Sequence, residues 1–363
     1  MRFFDHQLDA RARTRRLRLA FLLAVIGTVA GMHLALAVPF VLVRLLAGLP
    51  AEVIYPRGFL WVNIATPLML ILGGWWIESS NTRHGVRLAE RLGARAAQPG
   101  SRLAEQRLAN IVQEMSIAAH MPPPAVLVLP REMPINAFAS GMQPADWAVT
   151  VTEGALEYLT RDEVMGLVAH ELSHLREGDT ALNMRLIGMV FGLEMVWGFG
   201  QSLSTAEDEH GRASVPASAI IGVIIMAVGW CGWLAGRVLQ AAVSREREYL
   251  ADARAVQWTR QADGLGRTLR KCLGQQQEGV QLRLPQHHAF SHLLLAEGEG
   301  EDDGGERQWL ATHPPLAERI RRIYGGTRGA LDAEPLVDGG DTPRASVTDN
   351  PFRSSRPLPP PTY

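Results

Sequence analysis

Two long stretches of this chain carry no Asp, Glu, Lys or Arg, and that constrains its fold before any motif is read. They are residues 20–43 (AFLLAVIGTVAGMHLALAVPFVLV) and 58–77 (GFLWVNIATPLMLILGGWWI). Each can cross the roughly 30 Å hydrocarbon core of a bilayer as a helix of about 20 residues. Residues 218–236 (SAIIGVIIMAVGWCGWLAG) form a third such run. A fourth, 186–204 (LIGMVFGLEMVWGFGQSLS), holds Glu194 near its middle. A carboxyl there is costly against lipid, so it is expected to face protein or water, or to be neutral. The alternative for this fourth run, and for its partner 218–236, is a buried helix or a hairpin shorter than the bilayer.

Arginine placement predicts the orientation. Arg2, Arg11, Arg13, Arg15, Arg16 and Arg18 precede the first run, and Arg83, Arg87, Arg91, Arg95, Arg102 and Arg107 follow the second. Between the first two runs lies Arg57, with Arg44 at the span edge, and Arg212 between the last two is outnumbered by Glu207, Asp208 and Glu209. Both termini and the long middle region are therefore expected on the cytoplasmic side. Ala35-Leu36-Ala37 resembles a signal-peptidase site. The long leader with Asp5 and Asp9, and the apolar run continuing past the site, favour an uncleaved anchor instead.

The rest is soluble in character and argues for a mainly α chain with a small β-sheet. Residues 84–119 read as one amphipathic helix, with Leu88, Leu92, Leu103, Leu108, Ile111 and Val112 at helical intervals. Residues 125–129 (AVLVL) and 147–152 (WAVTVT) read as strands. Residues 297–306 (EGEGEDDGGE) read as a solvated loop without the alternating ligands of a calcium site. The Gly-, Pro- and Ser-rich residues 326–363 read as a disordered tail. With 36 basic and 37 acidic residues, a nucleic-acid partner is not expected. Two cysteines, Cys231 and Cys272, exclude a disulfide framework.

Thr160-Arg161-Asp162-Glu163 matches a capping box, so a helix is expected from Thr160. That helix contains His170-Glu171-Leu172-Ser173-His174. Four residues advance a helix by about 400°, which stacks His170 and His174 on one face where they can share a zinc ion. Glu171 lies about 100° round, placed to act on a water without ligating the metal. With 11 histidines in 363 residues, roughly 0.02 accidental matches to this pattern are expected. Val164, Leu167, Val168, Leu172 and Leu175 supply a separate core-facing stripe. A catalytic zinc needs a third protein ligand. Asp179, five residues beyond His174, is expected to point off the ligand face, so the search moves to Glu248 and Asp252. Four apart on a helix, one of these can bind zinc while the other accepts a hydrogen bond from a ligand histidine. The histidines at 287, 288 and 292 lack a carboxylate at helical spacing and are not expected to hold a second metal.

Four blocks together resemble the HtpX-type membrane zinc metalloproteases, relatives of the CaaX prenyl proteases. They are Asn136-Ala137-Phe138-Ala139 with Gly141; the His170–His174 helix with Gly178-Asp179; Glu248-Tyr249-Leu250-Ala251-Asp252; and Thr312-His313-Pro314 with Arg319. The likeness covers roughly 20–325 and implies a zincin-type metallopeptidase domain plus about four transmembrane helices. It implies one zinc ion per chain on His170, His174 and Glu248, with Glu171 as general base and Asp252 orienting a ligand. Asn136, Ala137, Phe138 and Ala139 would hold substrate backbone along an edge strand. His313 would stabilise the oxyanion or mask the zinc, the alternative being a helix-capping residue before Pro314-Pro315. Arg319 would bind substrate or merely pair with a surface carboxylate.

The organisation expected from this is a leader (1–19), two spans (20–77), a first peptidase segment (78–183), two spans or a hairpin (184–240), a second peptidase segment (241–325) and the tail. The expected activity is endoproteolysis at the cytoplasmic face of a bacterial-type inner membrane. Substrates would be misfolded or membrane polypeptides, by analogy with the family. Prenyl-protein processing and a zinc-stapled, non-proteolytic chaperone or adaptor are the rivals. An intramembrane protease is disfavoured, because charges flank 164–175 and leave it too short to span.

Overall fold

The computed structural model describes residues 2–49, 56–205, 216–280, 293–295, 313–325 and 333–334. The acidic segment 207–209, the 297–306 loop, the histidines at 287, 288 and 292, Thr312 and most of the tail lie outside the described residues. Two long helices come first, α1 (Arg2–Leu46) and α2 (Arg57–Asn81). The Arg-rich leader is continuous with the first apolar run in α1.

Residues 84–119 are not one helix. They divide into α3 (Gly85–Arg91), the short strand β1 (Arg95–Ala96) and α4 (Leu103–Ala118). Gly93, at φ 96°, takes a left-handed conformation that stops α3, and Pro99-Gly100 separates β1 from α4.

Strands β2 (Ala125–Leu129), β3 (Ala137–Ser140) and β4 (Ala148–Thr152) complete a four-stranded sheet in the order β1-β2-β4-β3. The β2–β4 pair is parallel, and β1–β2 and β3–β4 are antiparallel. After α5 (Glu153–Tyr158) comes α6 (Arg161–Glu177), which carries His170, Glu171 and His174. Its start is the expected capping box: the Thr160 N–H donates to Glu163 Oε2 at 2.8 Å.

Strand alternation gives the sheet two apolar faces. Val128, Ala137, Ala139, Val149 and Val151 pack on the α6 stripe of Val164, Leu167, Val168, Leu172 and Leu175, all buried. Burying each such Leu or Val contributes about 1.5–3 kcal/mol. Leu127, Leu129, Phe138 and Ala148 face the other way, onto Leu88, Leu92, Met184 and Ile187.

Helices α7 (Asp179–Ser204), α8 (Pro216–Thr259), α9 (Asp263–Gln277) and α10 (Leu316–Ile323) follow. Among the described residues, four helical segments are long and apolar enough to cross a membrane: Leu19–Leu46, Gly58–Asn81, Asp179–Ser204 and Ala219–Ala241. The last two pack against each other at backbone distance. A Cβ on Gly200 would lie 2.4 Å from the Met226 nitrogen, so only glycine fits there. Of the tail, Ala333 and Glu334 are described, and Glu334 pairs with Arg267 and Arg270 on α9.

Candidate metal centre

Helix α6 brings His170 and His174 together as their spacing requires. Their rings meet edge to face with centroids 4.8 Å apart, and the two Nε2 atoms are 3.2 Å apart. The third corner comes from α8. Glu248 Oε2 is 3.6 Å from His170 Nε2, and Oε1 is 3.4 Å from His174 Nε2. A tetrahedral ion with ligands at about 2.0–2.1 Å has ligand–ligand edges of about 3.3 Å, so these three separations suit zinc. Glu248 is 3% exposed, buried although its neighbours Arg245, Glu246 and Arg247 are all charged. Its Oε2 has no aligned hydrogen bond among the described residues, although Arg319 Nη1 lies 3.1 Å away. Two nitrogens and a buried carboxylate oxygen directed at one point form a donor set that fits a divalent cation.

A ring of further polar groups holds these three. His170 Nδ1 lies 3.0 Å from Asp252 Oδ1. Arg319 is fully buried, donating Nε to Asp252 Oδ2 (2.9 Å), Nη2 to Asp252 Oδ1 (2.8 Å) and Nη1 to the Leu295 carbonyl (2.8 Å). It is neither a surface partner nor exposed to substrate; it braces the two carboxylates of α8. His313 Nδ1 is 3.3 Å from Glu248 Oε2. The N-cap of α10 is Pro315, two residues beyond His313, so the capping alternative for His313 does not hold.

Asp179 was missed at the sequence level. Gly178, at φ 76°, ends α6 in a left-handed turn, so the helical wheel no longer applies to the next residue. The turn brings Asp179 Oδ2 to 3.1 Å from His174 Nδ1, and Asp179 also pairs with Arg247. Each histidine thus has its own carboxylate on the ring nitrogen remote from the other histidine, the usual support for a metal-binding imidazole. The glycine after the motif was the available signal.

The electrostatics follow from burial set against charge. Burial favours the neutral form of every group here. At His170 the carboxylates of Asp252 and Glu248 outweigh it, and at His174 Glu248 does, so both imidazolium forms are raised. At Glu248 burial is overcome by His313 and Arg319, which hold the carboxyl well below the ordinary range. At Asp252 burial is overcome mainly by Arg319, again lowering it. Glu171 differs: burial dominates and its carboxyl is raised. It alone among these carboxyls is biased toward taking up a proton.

The edge strand is β3, and Asn136 immediately precedes it. Part of that edge is already occupied. The Leu295 N–H reaches the Ala137 carbonyl (3.1 Å) and Asn136 Oδ1 (2.8 Å). Asn136 therefore anchors the 293–295 segment, while Ala139 lines the cleft beside His170, Glu171, His174 and Glu248. Phe138 points to the opposite face of the sheet, into the apolar layer with Leu88 and Met184.

Residues 102–326 match the family described as peptidase family M48, whose metalloproteases are zinc-dependent in general. A protease HtpX homolog of Lactobacillus acidophilus is 34% identical over 231 residues, covering 59% of this chain and 71% of that protein. Another, of Syntrophobacter fumaroxidans, is 29% identical over 293 residues, 77% of this chain and 96% of the relative. The crystal structure of S. mikatae Ste24p superposes with a TM-score of 0.41 at 16% identity, covering 85% of this chain and 66% of that one. On the family match and the sequence relatives, this chain belongs to peptidase family M48 and is an HtpX-like membrane metalloprotease.

Proposed function

We propose that the chain is a zinc endopeptidase that cuts polypeptides at the cytoplasmic face of a bacterial-type inner membrane, with misfolded or misassembled membrane proteins as substrates. The observation that carries this reading is the convergence of His170, His174 and Glu248 on one point beside a buried, proton-seeking Glu171. His170, His174 and Glu248 would hold one zinc, while Asp252 and Asp179 fix the ring orientations of the two histidines. When bound, the ion supplies Lewis acidity toward a water and toward the scissile carbonyl.

The chain's own groups perform the proton transfers. Glu171 takes a proton from the attacking water and passes it to the leaving amine. Its burial raises its proton affinity, which favours that uptake. His313, beside Glu248, donates to the developing oxyanion. Arg319 keeps Glu248 and Asp252 ionised and in register. Ala139, on the edge strand and lining the cleft, is where substrate backbone would add to β3. The cytoplasmic orientation is supported by the arginines flanking the first two spans.

The deciding experiment compares the detergent-purified wild type with Glu171→Gln for zinc content and cleavage of casein. The expected result is equal zinc and no cleavage by the variant. Undiminished cleavage would remove Glu171 from the mechanism, and a zinc-loaded wild type that cuts nothing would favour the adaptor reading.

A further inference from the structure

The cleft next to the metal centre has walls of two chemical kinds. Ala139, Leu293 and Leu294 are apolar, and Thr180 and Asn183 are polar. The last two take no part in holding His170, His174 or Glu248. They lie three residues apart at the start of α7 and therefore share a face of that helix. Thr180 is 2% exposed, and its Oγ1 has no hydrogen-bond partner among the described residues. A buried hydroxyl left unpaired costs about 1–3 kcal/mol, and because Thr180 lines the cleft, a substrate group that reached it would recover that cost. Asn183, half-buried on the same face, adds an amide that can donate and accept at once. The acidic residue beside them, Asp179, is already engaged by His174 and Arg247, so this wall is polar without net charge.

We propose that Thr180 and Asn183 determine cleavage specificity by receiving an uncharged polar side chain (Asn, Gln, Ser or Thr) of the substrate residue next to the scissile bond. The stem of that side chain lies against Leu293, Leu294 and Ala139, and its polar end pairs with the Thr180 hydroxyl and the Asn183 amide. A side chain of the same shape without the polar end leaves both groups unpaired, which is the circumstance in which a site rejects an isostere strongly. An ionised side chain meets no opposite charge on this wall. This inference rests on the peptidase reading and names the substrate class of the same site.

The test uses the full chain in detergent with zinc and peptides that differ at one position as near-isosteres, Asn against Leu and Thr against Val. Wild type is expected to favour the polar member of each pair by about tenfold or more in kcat/KM, the equivalent of one hydrogen bond. Thr180→Val with Asn183→Leu should abolish or invert that preference while retaining zinc and cleavage of the Leu and Val peptides. Thr180→Ser, which keeps the hydroxyl, should leave the preference in place even if the double variant fails to fold. The same peptides are also titrated onto Glu171→Gln, which reads side-chain selection without turnover. A wild type that prefers the apolar members, or a folded double variant that keeps the polar preference, overturns the inference. If wild type cuts nothing but Glu171→Gln selects the polar peptides through Thr180 and Asn183, the specificity site stands and the peptidase reading falls. If the peptides bind without discrimination, the specificity site falls whatever the activity.

Discussion

Replacing Arg319 with Leu is the most demanding test of how the metal centre is held. The guanidinium makes two charge-assisted bonds to Asp252, at 2.8 and 2.9 Å, one to the Leu295 carbonyl at 2.8 Å, and an ion pair with Glu248 at 3.1 Å. Removing it strands two buried carboxylates. Breaking a buried ion pair from one side costs about 3–5 kcal/mol. At about 2–4 °C per kcal/mol for a domain of this size, melting should fall by about 6–20 °C. Most of the cost is the stranded charge, so Arg319→Leu with Asp252→Asn should lose less than the two single variants added together. Arg319→Lys keeps the charge without the two-pronged geometry and should fall between wild type and Leu. The assay is thermal unfolding of metal-stripped protein in detergent, followed by fluorescence. A metal-free Arg319→Leu that melts within 2 °C of wild type, or strict additivity in the double variant, refutes the argument.

Asp179→Asn should weaken zinc binding about 10- to 100-fold through loss of the His174 partner, read by competition with a chelator of known affinity. Stripping zinc from wild type should lower its melting temperature and re-addition should restore it, by the linkage between binding and folding. Glu105 is buried against Arg95, with oxygens 2.5 and 2.9 Å from the guanidinium, and the hydrogen bond to Arg95 holds its carboxyl below the ordinary range. A depressed folded-state pKa means the stabilisation is present above the ordinary carboxylate pKa and disappears as pH falls through the lowered one. Glu105→Gln should therefore be less stable near neutrality by about 1–2 kcal/mol, moderated by the water around Arg95, and the two unfolding curves should converge in acid. Reporter fusions should locate both termini and the 84–178 region in the cytoplasm; a periplasmic signal there would overturn the proposed orientation.

The parts of this protein visible from sequence are those set by local periodicity. The spans, the α6 stripe and the His170–His174 stacking each follow from a helix repeat acting over a few turns. Glu248 lies 74 positions beyond His174, and only a resemblance distinguished it from Asp252 as the partner of both imidazoles. Asp179 and the 84–119 region were misread for one shared reason: a helix was extended through a glycine that turns left-handed, Gly178 in one case and Gly93 in the other. Arg319 was left between substrate binding and a surface ion pair, and its actual place is neither: two carboxylates from another helix compensate its complete burial. Residue 295 is seated by its N–H on the Ala137 carbonyl and Asn136 Oδ1 and by its carbonyl on Arg319, and none of these contacts leaves a trace in composition or spacing.

Helix α8 is unbroken from Pro216 to Thr259, with its span-length apolar stretch ending at Ala241 and Glu248 seven residues further on. At 1.5 Å per residue that is about 10 Å, less than two turns. One stiff rod thus joins the bilayer to the carboxylate corner of the site, and the peptidase chemistry is moored within a headgroup's reach of the lipid. Where the span of α8 sits in the bilayer therefore fixes how far from the lipid the carboxylate corner stands, with no loop between them to take up slack.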